Sequence, residues 1–533
     1  MIVIAEKPKV AYKIAQALGQ PMRFLTGWRV GDTKVLPAAG HLFNLMTNVR
    51  GYPVFDYFWA PERAKSKFIG AFRRLPEEDV VIACDFDIEG SLIGYNVVRF
   101  ALSFKPRVLE RMKFSSMVLS ELRQAFKNRL PVDMENVAAG EARHEVDYLF
   151  GINLSRFLID LFRKRLSAGR VQIPTLGLVI KREEERAAFV PKVYYIVEAE
   201  AKGWKFIHPK KFGSLKEAKA HLPKPSGVVR IEAQAKRVRP PPPYNLSDLQ
   251  KDAAKLGISP AQTLRIAQRL YEEGLISYPR TTSRRYPKGL PFLQIAARFA
   301  DYKAPLHRPL RVIEGKETDA HPCIYPTGKR ARLDKQAWKV FDLIVRRFLA
   351  TLSEDALVEH LKLRLLAGEE YLSEAKRILK PGWTALYPKE EKTVPFVDGE
   401  SVQVSGKARR KKTSPPPLFS KIQLLAEMER RGLGTKATRA EIIEKIFRRE
   451  YVKGRKITST PLGRRVYEIL SAAVPEIVSE EMTADLEKKI EAIREDPALK
   501  SAVVREAKER IAEVMERLIE KKETLRKQLM AQR

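Results

Sequence analysis

Apolar positions near the N-terminus alternate between short continuous runs and helical spacing. IVIA (2–5) and DVVIAC (79–84) have the length and composition of buried strands. Residues 7–18 repeat apolar side chains at helical spacing until Gly19 ends the pattern, and another helical stretch starts at about Ser91. Because strands that alternate with helices are typical of a parallel sheet, the pattern predicts an N-terminal α/β domain.

Two proline-rich segments interrupt the pattern further along the chain. KRVRPPPPYNLSDLQ (236–250) and ARRKKTSPPPLFSKIQLL (408–425) share one order: a basic stretch, polyproline, an aromatic residue and a helical pattern. Proline runs fix an extended backbone and resist helix and central strand, so both segments are predicted to be stiff connectors between domains. Two short matches do not establish an internal repeat.

Helical patterns flank these connectors. Ser259 and Pro260 give an N-cap and a proline at the first helical position, and Gly274 ends that helix. The spacing of Thr438 and Glu441 predicts a further capping box, and the helix that follows, with YVKGRKITSTPLG after it, resembles a helix-turn-helix with a small wing. The C-terminal part is rich in Glu, Lys and Arg with an amphipathic helical pattern.

The composition is that of a multidomain globular protein with a polyanionic partner. The 533 residues are 44% hydrophobic and 31% charged, which predicts about three or four domains. Lys plus Arg number 99 against 65 Asp plus Glu, a net charge of +34. Such a surplus favours nucleic acid over an anionic membrane surface as the partner, with merely solubilising charge as the alternative.

Several absences bear on the compartment and on cofactors. There is no run of about 18 uncharged apolar residues, and MIVIAEKPKV lacks the apolar core of a signal peptide. Cys84 and Cys323 are the only cysteines, which excludes a disulfide framework and a four-cysteine zinc site and fits a reducing compartment. We therefore expect a cytoplasmic protein with no membrane partner. No Walker-type loop occurs, so we expect no requirement for ATP.

Carboxylates follow the two predicted N-terminal strands. Asp85, Asp87 and Glu89 come directly after the run 79–84, and in extended backbone residues two apart project to the same side. Glu6 follows the other strand; if the two strands are neighbours, four carboxylates converge at one sheet edge. Their mutual repulsion would be relieved by Mg²⁺, which prefers oxygen ligands.

The spacing of these carboxylates alone leaves a second interpretation open. A solvated acidic turn that caps the next helix would have the same sequence, because carboxylates favour a helix N-terminus. Lys7 and Lys9 beside Glu6 favour a site that handles phosphate.

A phenol and a guanidinium lie two residues apart in Tyr278-Pro279-Arg280. Because Pro279 favours extended backbone for Tyr278, both side chains can point the same way. A tyrosine oxygen can attack a phosphodiester, and an adjacent arginine can hold the phosphate and offset charge in the transition state. Taken alone, the residues favour the more common alternative, a half-buried packing tyrosine.

Taken together, these motifs resemble those of the type IA DNA topoisomerase family. In family order along the chain, the matching segments are EKP (6–8) and DFDIEG (85–90) of the Toprim domain, the DNA-contacting motif SAGRVQIPTL (167–176), the tyrosine motif LISYPRTTS (275–283), the histidine motif HPCIYPTG (321–328) and the late motif GLGTKATRAEII (432–443). HPCIYPTG is nearer to the topoisomerase III and archaeal branches than to the bacterial pattern. A Toprim domain also occurs in primases and nucleases, so the tyrosine motif distinguishes the family.

The resemblance implies a role for each catalytic residue. Tyr278 would be the nucleophile that forms a 5′-phosphotyrosine link, and Arg280 would hold the scissile phosphate. Glu6 and Lys7 would supply proton transfer and positive charge at the leaving 3′ oxygen. His321 would lie near the tyrosine, with a packing role as its alternative. The implied Mg²⁺ ligands are Glu6, Asp85, Asp87 and Glu89.

The resemblance also implies a groove for single-stranded DNA. Arginine binds phosphate through its planar fork, and polar groups position the backbone without reading sequence; surface ion pairing on helices is the alternative. For Thr438 the alternative is the helix cap. The implied DNA contacts are His41, Arg111, Arg143, Asp147, Ser167, Arg170, Gln172, Thr438 and Arg439.

The implied fold is multidomain α/β plus α and β, in which a Toprim domain, helical domains and a β-rich arch form a toroid. Residues 186–238 and 357–408 are β-like by their Val, Ile and Tyr content, and the chain would pass twice through two of the domains. We expect a Toprim domain at 1–135, a helical DNA-groove domain at 136–185 and 415–525, a β-rich arch at 186–240 and 356–414, and a helical domain carrying the tyrosine at 241–355.

The implied activity is ATP-independent relaxation of negatively supercoiled DNA, decatenation, or both. One strand is cut, another strand passes through the gap, and the cut is resealed. Single-stranded regions of DNA are the expected substrate, a helicase is an expected partner, and the protein is expected to be a nucleoid-associated monomer. A Toprim-type nuclease or primase would use the acidic cluster without Tyr278, and a non-catalytic DNA-binding protein would need neither.

Overall fold

The N-terminal part of the chain forms a mixed seven-stranded sheet with helices on both faces. The structure is a computed structural model and describes residues 1–318, 320–388 and 393–531. Along the sheet the strand order is β2-β3-β4-β1-β7-β8-β9. The elements are β1 (Ile2–Ala5), α1 (Pro8–Leu18), β2 (Met22–Phe24), β3 (Gly27–Val30), β4 (Thr33–Pro37), β5 (Phe43–Met46), β6 (Phe58–Pro61), α2 (Ser66–Arg73), β7 (Val80–Ala83), α3 (Ile88–Phe100), β8 (Leu109–Arg111), α4 (Leu119–Lys127) and β9 (Leu130–Pro131).

The two strands that precede the predicted carboxylates are neighbours. β1 pairs in parallel with β7 on one side and with β4 on the other. All residues of β1 and β7 are buried, as expected for central strands covered on both faces. The predicted pair of parallel strands is therefore confirmed, and the carboxyl ends of both strands open at one edge of the sheet.

A second seven-stranded sheet, which is antiparallel, is built from two separate stretches of chain. Its order is β15-β12-β13-β14-β11-β10-β16. Between β12 and β13 the chain leaves the sheet and forms α8 to α11, and Tyr278 lies in the non-helical segment between α9 and α10. From the first sheet onward the elements are α5 (Met134–Phe162), α6 (Gln172–Ala187), β10 (Val193–Ala201), β11 (Trp204–Ile207), α7 (Leu215–Ala220), β12 (Ser226–Val238), α8 (Leu246–Lys255), α9 (Pro260–Glu272), α10 (Phe292–Ala297), α11 (Lys335–Thr351), β13 (Ala356–Ala367), β14 (Glu369–Lys380), β15 (Glu400–Gln403) and β16 (Ser405–Lys412).

The last part of the chain returns to α5 and α6 and packs against them. One apolar core joins these two helices to the C-terminal ones, so the chain passes twice through this helical layer. Short 3₁₀ turns occur elsewhere, at Arg63–Lys65, Ala300–Tyr302 and Gly382–Leu386. The C-terminal elements are α12 (Lys421–Arg430), α13 (Arg439–Arg448), β17 (Val452–Lys453), β18 (Thr458–Ser459), α14 (Pro461–Ala473), α15 (Pro475–Val478), α16 (Glu480–Ala492), α17 (Leu499–Glu520) and α18 (Lys522–Ala531).

Both proline-rich segments join a strand of the second sheet to a helix. The first connects β12 to α8, and the second connects β16 to α12. The predicted wing is present as the antiparallel pair β17–β18 between α13 and α14. The limits of the four predicted domains remain predictions, and residues 389–392 of the 356–414 segment lie outside the described residues. Among the described residues, none of the helices combines the length and apolar character that crossing a bilayer requires.

The helices that carry Tyr278 share a core with the first sheet. Val10 and Ile14 of α1, Leu122 of α4 and Leu270 of α9 belong to one continuous apolar cluster, which also contains Tyr278. This packing places the tyrosine at the sheet edge where β1 and β7 end.

Candidate active site

The first acidic residues of the site follow the adjacent ends of two parallel strands. Glu6 comes directly after β1, and Asp85 lies two residues after β7. The Asp85 side chain is buried, at 4% exposure. Burial raises the pKa of Asp85 well above its ordinary value, and the negative charges of Glu6 and Asp87 add to that effect. Acidic side chains thus concentrate at this edge of the sheet, where Lys7 and Arg280 offset part of the effect on Asp85.

The acidic segment is not extended throughout, which corrects the sequence prediction. Helix α3 begins at Ile88, three residues before the predicted start at Ser91, and Asp87 is its N-cap, with Oδ1 accepting a bond from the Gly90 amide at 2.8 Å. A Cβ at Gly90 would lie 2.0 Å from the carbonyl oxygen of Asp85, so the tight turn requires glycine here. Asp87 therefore fulfils the helix-capping alternative while its other oxygen faces the site.

Glu89 points away from the other carboxylates because it lies in the first turn of α3. Its Oε2 lies 2.9 Å from Nε2 of His41 and 3.3 Å from Nε2 of His144. Burial raises the pKa of Glu89, but the two histidines outweigh burial and lower it overall. These three residues form a group with metal-ligand spacing, whereas no three of the predicted ligands Glu6, Asp85, Asp87 and Glu89 bring their oxygens within 4.8 Å of one another.

Tyr278 lies against the acidic residues. Its hydroxyl donates to Oδ2 of Asp87 at 2.5 Å. The hydroxyl of Tyr271, on α9, donates to Oδ1 of Asp85 at 3.1 Å. The backbone amide of Tyr278 donates to the carbonyl of Ser115 at 2.7 Å. Burial raises the pKa of Tyr278 well above its usual range, and Asp87 raises it further. The phenol is therefore protonated in this state and has a carboxylate as its acceptor.

Arg280 is the positive charge closest in sequence to the phenol. Burial lowers the pKa of Arg280, but the neighbouring Tyr278, Asp87 and Glu6 outweigh burial and raise it. Its Nε is buried without a hydrogen-bond partner among the described residues. A buried guanidinium with unused donor capacity beside a nucleophile is suited to bind an anionic group.

His321 packs on the ring of Tyr278. The ring centroids lie 4.2 Å apart, and Nδ1 of His321 lies 3.3 Å from Oγ of Ser115. The His321 side chain is almost fully buried, and burial lowers its pKa to about 4. A neutral imidazole in this place can orient the phenol ring and does not add positive charge at neutral pH.

Lys7 connects Glu6 to helix α9. Its Nζ lies 3.6 Å from Glu6 and 2.9 Å from Glu272. Burial lowers the pKa of Lys7, but Glu6 and Glu272 outweigh burial and raise it. A firmly cationic lysine thus lies beside a carboxylate at the end of β1, which is a suitable pair for proton transfer to an oxygen.

A cleft of about 1440 Å³ opens in front of these residues. It lies between the end of the first sheet, helix α9 and the start of α13. Lys436, on the loop between α12 and α13, also lines it and was missed by sequence reasoning. Burial lowers the pKa of Lys436 to about 8, partly offset by Asp87. Lys436 lies inside the motif GLGTKATRAEII, which could have indicated its role. Within that motif only Thr438 and Arg439 were predicted to contact DNA.

Arg111 does not lie on a surface that DNA can reach in this structure, which corrects its predicted role. The side chain is fully buried. Its guanidinium donates to the carbonyls of Cys84 at 2.7 Å and Asp85 at 2.6 Å, and it pairs with Asp133 at 3.2 Å. Arg111 therefore holds the backbone on which Asp85 and Asp87 are mounted.

Three other predicted DNA contacts, on α5 and in the turn before α6, belong to an ion-pair network. Arg170 lies 2.7 Å from Asp147 and 2.8 Å from Glu487, and Glu487 also pairs with Arg143 at 2.8 Å. Of these, Arg143 lines the cleft. Glu487, on α16, was not selected from the sequence because nothing in its local pattern marks it. These residues thus form ion pairs with one another, which was the alternative to a DNA contact. Arg143 nevertheless lines the cleft.

Ser167 and Gln172 are bonded to each other and to the helical layer. Ser167 Oγ lies 3.3 Å from Gln172 Oε1, and Gln172 Nε2 donates to the Ser167 carbonyl at 2.9 Å. Arg449, which follows α13, donates to Ser167 Oγ at 3.0 Å. Ser167 and Gln172 are both buried, so a DNA contact by either side chain would need a change in these bonds.

Thr438 and Arg439 line the cleft at the start of α13. The predicted capping box is wrong: the Thr438 side chain makes no cap bond and instead accepts from the backbone amide of Thr435 at 3.0 Å. Arg439 donates to the carbonyl of Leu433 at 3.1 Å. Both residues thus stabilise the loop that carries Lys436.

Comparison with known proteins shows similarity to DNA topoisomerases. The profile of the DNA topoisomerase family matches residues 131–505, and that of the Toprim domain, which generally binds divalent metal ions, matches residues 1–117. DNA topoisomerase 1 of Pyrococcus horikoshii is 39% identical, over 97% of this chain and 84% of that protein. DNA topoisomerase 3 of Bacillus licheniformis is 30% identical, over 95% of this chain and 80% of that protein.

A solved structure extends the similarity to the fold. Full-length topoisomerase I from Thermotoga maritima superposes with a TM-score of 0.80 at 28% identity, covering 97% of this chain and 90% of that one. The matched profile covers most of the chain, and the fold agrees with it. The chain therefore belongs to the type IA DNA topoisomerase family.

Proposed function

We propose that this chain cuts one strand of DNA by transesterification to Tyr278, passes another strand through the gap and reseals the cut without ATP. The observation that carries the proposal is the 2.5 Å hydrogen bond from the Tyr278 hydroxyl to Asp87, at the mouth of a cleft lined by Arg280 and Lys436. The net charge of +34 supports a DNA substrate. The reaction relaxes negatively supercoiled DNA, separates catenated DNA, or does both.

In the cleavage step the Tyr278 oxygen attacks phosphorus and the bond from phosphorus to the 3′ oxygen breaks. The phenol proton passes to Asp87, its acceptor in the resting site. Because burial and Asp87 hold the pKa of Tyr278 high, the phenol has to lose its proton as it attacks. The charge that develops on the phosphate oxygens is offset by Arg280 and Lys436, which line the cleft. The phosphodiester energy is retained in the 5′-phosphotyrosine bond.

The leaving 3′ oxygen takes up a proton at the other end of the site. Lys7 and Glu6, 3.6 Å apart at the end of β1, are the pair suited to supply it. The reverse transfer prepares the 3′ hydroxyl to attack the phosphotyrosine during resealing. His321 keeps the Tyr278 ring in place by packing, with ring centroids 4.2 Å apart.

Mg²⁺ is the proposed metal ion. The side chains are of the type that Mg²⁺ prefers, because Glu6, Asp85 and Asp87 offer oxygen ligands, and burial together with repulsion from Glu6 and Asp87 raises the pKa of Asp85. Their oxygens would have to approach one another to share one ion, since the three do not lie within 4.8 Å of one another in this structure. A bound Mg²⁺ would order the phosphates and would be needed chiefly for resealing. Glu89 would join this set only on release from His41 and His144, with which it is paired here.

The chain's architecture supports strand passage between two rigid parts. Tyr278 lies on an insertion between β12 and β13, and the acidic residues lie on the first sheet. Movement of the insertion away from the sheet would carry the 5′ phosphate with it and leave the 3′ hydroxyl behind. The proline-rich connectors adjoin the second sheet, where such movement has to hinge. We further propose a monomer in the cytoplasm, associated with the nucleoid, and a helicase as a partner.

Replacement of Tyr278 by phenylalanine tests the proposal. Wild-type protein, incubated with Mg²⁺ and single-stranded oligonucleotides labelled at either end, should become covalently attached to the 5′ phosphate of the downstream fragment. Tyr278→Phe should form no adduct and retain DNA binding. Tyr286→Phe is the matched control, because Tyr286 is also buried in this part of the chain but bonds Thr351 at 2.9 Å. Cleavage retained in Tyr278→Phe would support a Toprim-type nuclease, and a wild type without cleavage or adduct would support a DNA-binding protein.

A further inference from the structure

A second cavity, of about 1070 Å³, lies outside the active-site cleft. The C-terminal end of α5, the wing β17–β18, the start of α14 and helix α18 border it. None of the residues given a role in the cleavage reaction lines this cavity. The cleavage reaction in the cleft therefore does not account for the second cavity.

Basic side chains surround the cavity. Arg163-Lys164-Arg165 follow α5, and Lys453-Gly454-Arg455-Lys456 form the turn of the wing; all seven residues are exposed. Arg163 is paired with Asp160 at 3.2 Å, whereas within the described part of the chain Lys164 and Lys453 form no ion pair. Among the described residues that line the cavity, Glu450 is the one acidic residue, and the basic ones are Arg163, Lys164, Lys453, Arg465 and Arg526. The balance of charge favours an anionic occupant.

The walls of the cavity are apolar and partly aromatic. Phe162 and Phe447 are half-buried and line it together with Leu462 and Leu529. A phosphate alone would leave these walls without a contact. Unstacked bases suit both features, because bases pack on aromatic side chains while the phosphates lie along the basic rim.

Helix α13 connects this cavity to the active-site cleft. Its residue Arg448 lines the cleft and its neighbour Phe447 lines the second cavity. Arg449 bonds Ser167 between them. Helix α5 also borders both, through His144 at the cleft and Phe162 at the second cavity, which are about 27 Å apart along the helix axis. A strand that leaves the cleft along α5 thus reaches the second cavity after a few nucleotides.

We propose that the second cavity binds bases of a single-stranded DNA segment several nucleotides from the cleavage site. The inference rests on the proposed function, because it takes the strand held in the cleft as its starting point. The site adds affinity for long single strands without contributing to the chemical step. It also selects substrates in which the unpaired region extends well beyond the point of cleavage.

Binding to oligothymidylates of two lengths tests the proposal. One has about 6 nucleotides, enough for the cleft, and the other about 16. The double variant Lys164→Glu/Lys453→Glu and the single variant Phe162→Ala should each bind the long oligonucleotide about tenfold more weakly and the short one as the wild type does. For the double variant, the slope of log affinity against log salt should fall by about 1.4, since a phosphate contact on a single strand contributes about 0.7.

A charge-matched control is available on α7 of the second sheet. Lys216→Glu/Lys219→Glu changes two exposed lysines by the same charge and should leave the length dependence intact. Equal losses for both oligonucleotides, or no loss for the long one, would overturn the proposal. A larger loss on a duplex hairpin than on the long oligonucleotide would instead assign the surface to duplex DNA. Adduct formation on the short oligonucleotide is measured in parallel; its absence in the wild type would refute the proposed function separately.

Discussion

Asp87 accepts hydrogen bonds from two different parts of the molecule. Oδ1 accepts the Gly90 amide and holds the start of α3, whereas Oδ2 accepts the Tyr278 hydroxyl. The sequence predicted that Tyr278 and the carboxylates belong to one site, through the family motifs. It could not predict that Glu89 turns towards His41 and His144, because that depends on where helix α3 begins. Lys436 was missed because its approach to the site depends on packing between distant segments.

Asparagine at position 87 separates the two functions of this side chain. Asparagine caps a helix about as well as aspartate, so Asp87→Asn should fold like the wild type but lack the carboxylate that accepts the phenol proton. The rate of adduct formation should fall by about 10²–10⁴-fold. Quenched-flow measurement on an oligonucleotide checks this, with thermal unfolding as the control. A wild-type rate in Asp87→Asn would remove Asp87 from the proton path.

Lys436 provides a prediction about phosphate binding. Lys436→Gln should slow adduct formation about tenfold, because one of the positive charges at the cleft is lost. Lys436→Arg should recover most of the rate, since the charge is kept. Single-turnover cleavage at saturating oligonucleotide measures the effect, and Lys219→Gln on α7 is the control. Equal rates for Lys436→Gln and wild type would show that the charge plays no part in cleavage.

His321 makes stability depend on pH. Burial lowers its pKa in the folded state to about 4, below its ordinary value of 6.5. The unfolded chain therefore binds the proton first as pH falls, so the stability contributed by the neutral ring is present above pH 6.5 and is lost between about pH 6.5 and pH 4. The loss amounts to up to about 3 kcal/mol.

The variant His321→Gln isolates this contribution. Its unfolding temperature should fall less than that of the wild type between pH 7 and pH 5, as followed by calorimetry. Parallel curves for the two proteins over that range would show that His321 keeps an ordinary pKa in the folded protein.

Helix and strand positions follow from local chemistry wherever a single signal dominates. Ser259 caps α9 through a bond to the Gln262 amide, and Pro260 occupies the first helical position, both as predicted. At the start of α3 the signals for a turn and for a helix overlap, because Asp87 both ends the acidic turn and caps the helix. The predicted start of α3 was therefore wrong by three residues. Arg111 lies on a short strand, β8, and its side chain is buried because of tertiary neighbours such as β7 and Asp133, which the local sequence does not specify.

Loss of Arg111 should destabilise the first sheet. Arg111→Met would leave the carbonyls of Cys84 and Asp85 and the carboxylate of Asp133 without their partner. Removal of one partner from a buried ion pair costs about 3–5 kcal/mol. Hydrogen exchange of the amides in β7 and β1 should therefore rise, and adduct formation should fall with it. Arg107→Met, at a side chain 89% exposed, should change neither, and a similar response of both variants would refute the role given to Arg111.

At the scale of the whole molecule, the site exists only because distant segments meet. The first sheet supplies Glu6 and Asp85, the insertion between β12 and β13 supplies Tyr278, and the loop before α13 supplies Lys436. Charge and family motifs predicted a DNA enzyme from the sequence. The continuous core between α1 and the tyrosine-bearing helices, and the second cavity, arise from tertiary packing that leaves no local pattern.

A reversible link between α8 and α12 tests whether strand passage needs these parts to separate. Ser247 on α8 donates to Glu429 on α12 at 2.9 Å, joining the tyrosine-bearing part to the C-terminal helices. The native cysteines, Cys84 and Cys323, are buried elsewhere, and a Ser247→Cys/Glu429→Cys pair places two thiols where this hydrogen bond joins the helices. Oxidised protein should still form the adduct with a short oligonucleotide and lose relaxation of supercoiled plasmid, and reductant should restore relaxation. Ser247→Cys alone should be insensitive to oxidant. Undiminished relaxation by the fully linked protein would mean that DNA passes without separation of α8 from α12, and that the moving boundary lies elsewhere.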